Sequence, residues 1–480
     1  MNQEIDLIQL QSKLTKLQLN LNSLFWKSNE YFYITRPTQE VLKKYIRKQK
    51  YDLRMRLLWV LIFPAKILFW YLVNLFYLII KPGNEIKLKN PKYGTLFISH
   101  ATIDNPNSQI GDRIFGGMLN IVPKNSQNLV YYLNHTSDNL KRKMAKIAES
   151  INQEFFLNTK NLPFKKMLNL INKNSKIVIK EYLENSLKAA SNEFELNWFG
   201  ALELQIKRST LANLVIYQNI ADLLNKSEIK NIVMTFEGHA YETLIYEAIR
   251  QSGKKINIYM FQHSPTSNGQ LALLGFLKTY KSKVNIMFSS IYSKQYFMKK
   301  SEAKYAKKYL VGSNKYSSTQ VSIKNRKSIL LAPEGINSTL SEFLRLAEKL
   351  SSRTDYKIIL RIHPSLKINR NNKKYLCHLR SFSNIVISNQ SLLNDFRQSK
   401  ICIFRASSVG LESMAFGIST YFYGSEWENF FVNPLRHIPK NNKYINSKNL
   451  DRDLNNLQIT RKKINYYQKL NTDYLQKLFR

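Results

Sequence analysis

The chain has 480 residues, long for one hydrophobic core, so two domains with appendages are expected. Lys and Arg outnumber Asp and Glu by 73 to 33, and the net charge of +40 attracts polyanions: nucleic acid, an anionic membrane surface or phosphorylated substrates. The basic residues are spread along the whole length, with no aromatic RNP box and no paired Cys/His zinc ligands, which excludes the common nucleic-acid motifs. The two cysteines, Cys377 and Cys402, exclude a disulfide framework and fit a reducing compartment. The first residues are polar and lack a signal-peptide pattern, so a cytosolic location is expected.

Residues 1–50 read as helical. Leu7, Leu10, Leu14, Leu17, Leu21 and Leu24 recur at alternating steps of three and four, which suits a short coiled coil or an arm packed on the body. Residues 57–80, LLWVLIFPAKILFWYLVNLFYLII, form the most apolar window and are long enough to span a bilayer. Pro64, Lys66 and Asn74 interrupt it, Arg54, Arg56 and Lys81 flank it, and Trp59, Trp70, Tyr71 and Tyr77 are interface residues. The expectation is an in-plane or re-entrant anchor at the inner membrane face, with a single span or a buried core helix as alternatives. Residues 1–85 are therefore set apart as a helical extension.

Residues 86–312 are expected to form a first Rossmann-like domain. Thr95 to His100, Asn128 to Leu133, Asn231 to Phe236, Ile256 to Phe261 and Val284 to Phe288 read as strands, and residues 138–225 as mainly helical. Strand–helix alternation at this spacing predicts a parallel sheet. Residues 313–327 are polar and read as a linker. A second alternating unit, 328–450, follows, with strands at Ser328 to Pro333, Tyr356 to Arg361, Asn384 to Ile387 and Ile401 to Phe404, and a tail helix at 451–480. The fold class is thus α/β with two doubly wound domains.

In such sheets ligands sit beyond the carboxyl ends of the strands. Three loops of the second unit converge there: Glu334-Gly335, Arg361-Ile-His363-Pro364 and Arg405-Ala-Ser407-Ser408. Gly335 allows close backbone approach to a ligand. The serine loop opens a helix and suits a phosphate, and Glu412 one turn on reaches toward a ribose hydroxyl; the plainer alternative is that Ser407 and Ser408 only cap the helix. His363 at a strand exit is suited to bond a phosphate or donate a proton, and Arg361 adds charge to the site or pairs with a carboxylate. In the first unit Glu237, His239 and Glu242 cluster after a strand, where a carboxylate, Glu237 above all, is placed to act as a general base; the plainer alternative is a helix N-terminal charge satisfying the dipole. His263 is a second candidate for substrate contact, and His100 a third. No P-loop and no GxGxxG fingerprint is present. Asp451-Arg-Asp453 opens the tail helix and reads as capping charge, so no metal site is expected.

Arg361-Ile-His-Pro364, followed by Arg405-Ala-Ser-Ser408 and Glu412, resembles the HP and serine motifs of bacterial sialyltransferases and polysialyltransferases of GT-B fold. Phe97-Ile-Ser-His100, Glu237-Gly-His-Ala-Tyr-Glu242 and Gln262-His-Ser264 resemble related bacterial surface-carbohydrate biosynthesis proteins. The resemblance implies a GT-B glycosyltransferase whose two halves face a cleft, using a CMP-activated acidic sugar (sialic acid, a nonulosonic relative or Kdo). A glycan or lipid-linked glycan of capsule, lipooligosaccharide or O-antigen would accept it, with no cofactor or metal. By this resemblance His363, Ser407 and Ser408 hold the CMP phosphate, Glu334, Gly335, Arg361, Arg405 and Glu412 lie by the nucleotide, and Glu237 activates an acceptor contacted by His100, His239, Glu242 and His263. Sialyltransferases carry two acidic residues before the glycine, whereas Phe236 precedes Glu237-Gly238 here. A CDP-glycerol-type phosphotransferase and a nonenzymatic polyanion-binding protein at the membrane are the alternatives.

Overall fold

In the computed structural model the described residues are 93–479, apart from 101–113, 122–126, 134–153, most of 158–207, 281–283, 317–325, 365, 440–442, 458 and 460–462. The expected helical arm and the apolar segment 57–80 lie outside them. Among the described residues no helix is long and apolar enough to cross a membrane.

The first sheet has seven strands: β1 (Tyr93–Ser99), β2 (Gln127–Tyr132), β3 (Glu154–Leu157), β4 (Asn231–Thr235), β5 (Asn257–Gln262), β6 (Asn285–Phe288) and β7 (Lys307–Leu310). They pair in parallel in the order β3-β2-β1-β4-β5-β6-β7. Helices α1 (Arg208–Lys226), α2 (Ala240–Ser252), α3 (Leu271–Tyr280) and α4 (Ile291–Met298) lie between or beside them. A parallel sheet must be covered on both faces, and its strands are accordingly continuous apolar runs. Leu96, Ile98, Ile232, Met234, Ile258 and Met260 pack on one side with α1, α2 and α3. Phe97, Val233, Tyr259 and Phe261 pack on the other. One strand falls where helix is expected: β3 lies inside 138–225.

The second sheet repeats the plan. Its strands are β8 (Ser328–Ala332), β9 (Lys357–Leu360), β10 (Ile385–Ile387), β11 (Ser399–Phe404), β12 (Ser419–Gly424) and β13 (Tyr444–Asn446), all parallel, in the order β10-β9-β8-β11-β12-β13. Its helices are α5 (Asn337–Ser351), α6 (Arg370–Leu379), α7 (Leu392–Gln398), α8 (Ser408–Ala415), α9 (Glu426–Phe431) and α10 (Leu450–Asn455). In both sheets the strand order reverses once, between β1 and β4 and between β8 and β11. These are the switch points where doubly wound sheets open a crevice beyond their carboxyl ends. Two doubly wound parallel sheets are the layout expected for GT-B.

The two carboxyl edges are joined directly. The loop after β5 donates from Gly269 N to Phe431 O (2.8 Å) and from Asn268 Nδ2 to Phe430 O (3.0 Å), both on the helix that follows β12. The chain then returns. Tyr466 stacks on Tyr292 of α4, with rings 5.7 Å apart, and its hydroxyl accepts from Thr266 N (3.2 Å). The last helix, α11 (Thr472–Phe479), closes the open face of the first sheet with Leu475 and Phe479. Asn231 Nδ2 donates to Phe479 O (3.1 Å) and Tyr259 Oη to Leu478 O (2.7 Å).

Candidate active site

At the first switch point the exits of β1 and β4 lie side by side. Gly238 takes a left-handed φ of 88°, which a side chain resists. The turn lets three successive amides converge on Glu242. Glu237 N donates to Oε1 (2.8 Å), and Gly238 N (2.7 Å) and His239 N (3.2 Å) donate to Oε2. Thr235 Oγ1 adds a fourth bond, to Oε1 (2.9 Å). The side chain is buried at the start of α2. Burial pushes the Glu242 carboxyl up to about 7, against the pull of the amides. Expected as an acceptor contact, Glu242 is placed as the support of the loop instead, with both oxygens occupied. His100 joins the same network, its Nε2 2.9 Å from Tyr241 Oη, which lies 2.7 Å from Thr235 Oγ1.

Glu237 faces outward from this frame. Its side chain is 22% exposed and lies between two imidazoles, with Oε1 3.4 Å from His263 Nε2 and Oε2 3.6 Å from His239 Nε2. Burial opposes its charge, but the two histidines outweigh that and hold the carboxyl well below the usual range. His239 packs flat on Tyr241, with rings 5.2 Å apart. His263 is the more enclosed of the two: both ring nitrogens are shut off from solvent, and Nδ1 has no hydrogen-bond partner among the described residues. His263 therefore contacts Glu237 from behind rather than presenting a nitrogen to solvent.

At the second switch point β9, β8 and β11 are neighbours, so the loops carrying His363, Glu334-Gly335 and Ser407-Ser408 leave from one edge. Strand β9 ends at Leu360, one residue before Arg361. Arg361 pairs with the buried Asp395 (2.7 Å) and donates to Gln390 O (2.9 Å), the carboxylate pairing that the sequence left open. Half-buried His363 anchors its turn by accepting from Leu366 N (3.0 Å). Ser407 caps α8 by accepting from Val409 N (3.3 Å), and Ser408 Oγ donates to Glu412 Oε1 (2.7 Å). Between strand and cap, Ala406 is forced to a left-handed φ of 44°, rare for a residue with a Cβ and typical of strained functional turns. Gly410 allows α8 to lie directly on Phe404; a Cβ there would run into the ring.

Arg405 differs from the expectation of a nucleotide ligand. Its side chain is only 2% exposed and is enclosed by three carboxylates. Nε lies 3.2 Å from Glu334, Nη1 lies 3.4 Å from Glu342, and Nη2 bonds Glu428. Glu334 also accepts from Thr339 Oγ1 (2.7 Å), and Glu428 accepts from Ser425 N (2.8 Å) at the start of α9. The guanidinium thus ties the exits of β8, β11 and β12 together. Glu342, Glu428, Thr235 and Tyr241 were not singled out from sequence. Glu342 and Glu428 carry no local signal because they meet Arg405 from other strand exits, whereas Thr235 and Tyr241 bond within their own strand–helix turn. Asp451 pairs with Lys349 and Arg353 (both 2.5 Å), and Asp453 accepts from Asn446 N (2.8 Å).

No family model matches the chain, and no curated protein does. Solved structures similar to it include a glycosyltransferase from Rickettsia africae ESF-5, with 13% identity and a TM-score of 0.40, covering 81% of this chain and 94% of that one. A second is UGT2 of Phytolacca americana complexed with UDP-2fluoro-glucose and pterostilbene, with 9% identity and a TM-score of 0.44, covering 82% and 94%. A third is the UDP-GlcNAc 2-epimerase of Methanocaldococcus jannaschii, with 10% identity and a TM-score of 0.45, covering 81% and 98%. At these scores the likeness adds nothing to what the strand order itself shows.

Proposed function

We propose that the chain is a glycosyltransferase that moves an acidic sugar from a CMP-activated donor to a surface-glycan acceptor, working against the inner membrane face. The observation that carries this reading is the pairing of two switch-point edges. One bears an ionised carboxylate among imidazoles, and the other bears a histidine–proline turn beside a capped helix start. The hydrogen bonds from Asn268 and Gly269 to α9 hold the two edges toward each other. The motif resemblance of His363-Pro364 and Ser407-Ser408 supports the CMP donor.

In this reading the donor phosphate rests against the N-terminus of α8, where backbone N–H groups and the helix dipole favour an anion. His363 contacts the same phosphate and is placed to protonate the departing cytidylate. Glu237 takes the proton of the acceptor hydroxyl as its oxygen bonds to the anomeric carbon. The bond from that carbon to the phosphate oxygen breaks, and its electron pair leaves with CMP. Glu237 thus gains the acceptor's proton as His363 gives one to CMP, so the transfer itself conserves protons, and one is released only when the CMP monoester ionises afterwards. His239 and His263 keep Glu237 ionised and aimed. The basic surplus of the chain and the apolar segment 57–80 would concentrate the enzyme at an anionic membrane where lipid-linked acceptors lie.

Calorimetric titration with CMP, CDP and UMP tests the reading. CMP is expected to bind tightest, and His363→Ala and Ser407→Ala to weaken it. Turnover of CDP-glycerol with no CMP released from CMP-sugars would reassign the chain as a phosphotransferase. Salt-sensitive lipid or nucleic-acid binding indifferent to both variants, with no nucleotide bound, would remove the enzyme assignment.

A further inference from the structure

We propose that the buried carboxylate of Glu242, acting through Thr235 and Tyr241, fixes the hydrogen of His100 on Nε2 and so makes the first edge a reader of acceptor hydroxyls. The substrate in this statement rests on the transferase reading above; the placing of the hydrogen rests on geometry alone. Four groups stand in a row. His100 Nε2 lies 2.9 Å from Tyr241 Oη, which lies 2.7 Å from Thr235 Oγ1, which lies 2.9 Å from Glu242 Oε1. Each hydroxyl owns one hydrogen, and an ionised carboxylate owns none. The oxygens of Glu242 accept from Glu237 N, Gly238 N and His239 N, so the bond with Thr235 uses the hydrogen of Thr235. The bond between Thr235 and Tyr241 must then use the hydrogen of Tyr241. With that one spent, the bond to His100 can only use a hydrogen on Nε2. The count holds whatever else Tyr241 and His100 touch, because no further partner gives a hydroxyl a second hydrogen.

Thr235, Tyr241 and Glu242 are all buried, so the row is shielded from bulk water, which could otherwise supply a hydrogen in either sense. The titratable neighbours of Glu242 are His239 and Glu237, but burial is the larger influence and raises its carboxyl to about 7, so the row is set in this sense above that pH. A neutral imidazole with its hydrogen on Nε2 keeps the lone pair on Nδ1. Any group that meets Nδ1 has to bring its own hydrogen. A sugar hydroxyl does so; an ionised phosphate or carboxylate does not. His100 follows β1, and its ring lies 6.4 Å from that of His239, which in turn contacts Glu237. Hydroxyl recognition is thereby placed on the edge that carries the base, and Thr235 and Tyr241 are its positioning residues.

The test is nitrogen NMR of the full chain, labelled at its 7 histidines. It is run at about pH 8.5, where imidazoles are neutral and Glu242 is ionised. The His100 signal is identified by its loss in His100→Gln. The wild type is expected to carry the hydrogen on Nε2, and Thr235→Ser, which keeps the hydroxyl, to do the same. Thr235→Val has the same size without the hydroxyl; it releases the hydrogen of Tyr241 and should move His100 toward a hydrogen on Nδ1. Tyr241→Phe breaks the row at its next link and should move the signal the same way. A wild type with its hydrogen on Nδ1, or Thr235→Val and Tyr241→Phe variants that keep the wild-type signal, would overturn the proposal. In a transfer assay Thr235→Val should raise the KM for the acceptor by about two- to tenfold, more than it lowers kcat, and Thr235→Ser should restore it. An unchanged acceptor KM would overturn the hydroxyl-reading role even if the tautomer is as expected. A wild type that transfers no sugar would remove the transferase reading and that role with it, while the signal still decides the tautomer.

Discussion

The two switch-point edges share one topology but are furnished with opposite chemistry. The first carries His100, His239 and His263 around a Glu237 held well below the usual carboxylate range by its imidazole neighbours and a Glu242 pushed up to about 7 by burial. The second carries Arg361 and Arg405, whose charge is fixed, locked onto Asp395 and three glutamates. The difference teaches that strand order sets where a site lies and side chains divide the labour. One edge gathers imidazoles and carboxyls, the other fixes its shape with ion pairs.

Substitutions should separate the two edges. The largest expected effect is on activity. Glu237→Gln should lower the rate of sugar transfer by about 100- to 10,000-fold, with CMP affinity nearly unchanged. A variant that transferred at the wild-type rate would remove Glu237 as the base and weaken the contrast. At the other edge the expected effect is on stability. Arg405→Met leaves Glu428 buried without its cation and should cost about 3–5 kcal/mol in chemical denaturation. An unchanged unfolding midpoint would show that the clamp holds nothing. Gly410→Ala is next, since the new methyl must displace Phe404, and about 1–3 kcal/mol is expected, read from the same curves. The smallest effect is a pH dependence. Glu237 is held below its ordinary value of 4.5, so its contribution to stability is present above that value and is lost as pH falls through the folded-state pKa. Unfolding curves below pH 4.5 should therefore fall less steeply for Glu237→Gln than for the wild type. Parallel curves would mean that the imidazoles do not hold the carboxylate.

The alternation of apolar runs with helices made both parallel sheets legible, and the central strands with them. A buried run such as Ile401 to Phe404 needs no partner to be recognised. The short edge strands β3, β7 and β13 were less so, since three or four residues carry too little periodicity and are defined by the neighbour they pair with. The site divided in the same way. The positions of Glu237, His363 and Ser407 follow from local strand exits. The role of Arg405 depends on partners brought together only by folding, and that of Glu242 on a local turn whose backbone shape the residue types alone do not show. Arg405 meets carboxylates from residues 334, 342 and 428, and Glu242 meets amides freed by the positive φ of Gly238. Composition alone shows an arginine beside a phosphate-suited loop; it does not show that the arginine is already taken.

The return of α11 to the first sheet has a practical consequence. A protease cut between β7 and β8 would not release two separate bodies, because Phe479, translated with the second half, is buried in the first. The nicked pieces should travel together through gel filtration until denaturant is added. A gene fragment ending before β8 would lack that plug and leave Phe97 and Tyr259 facing water, a recipe for an insoluble product.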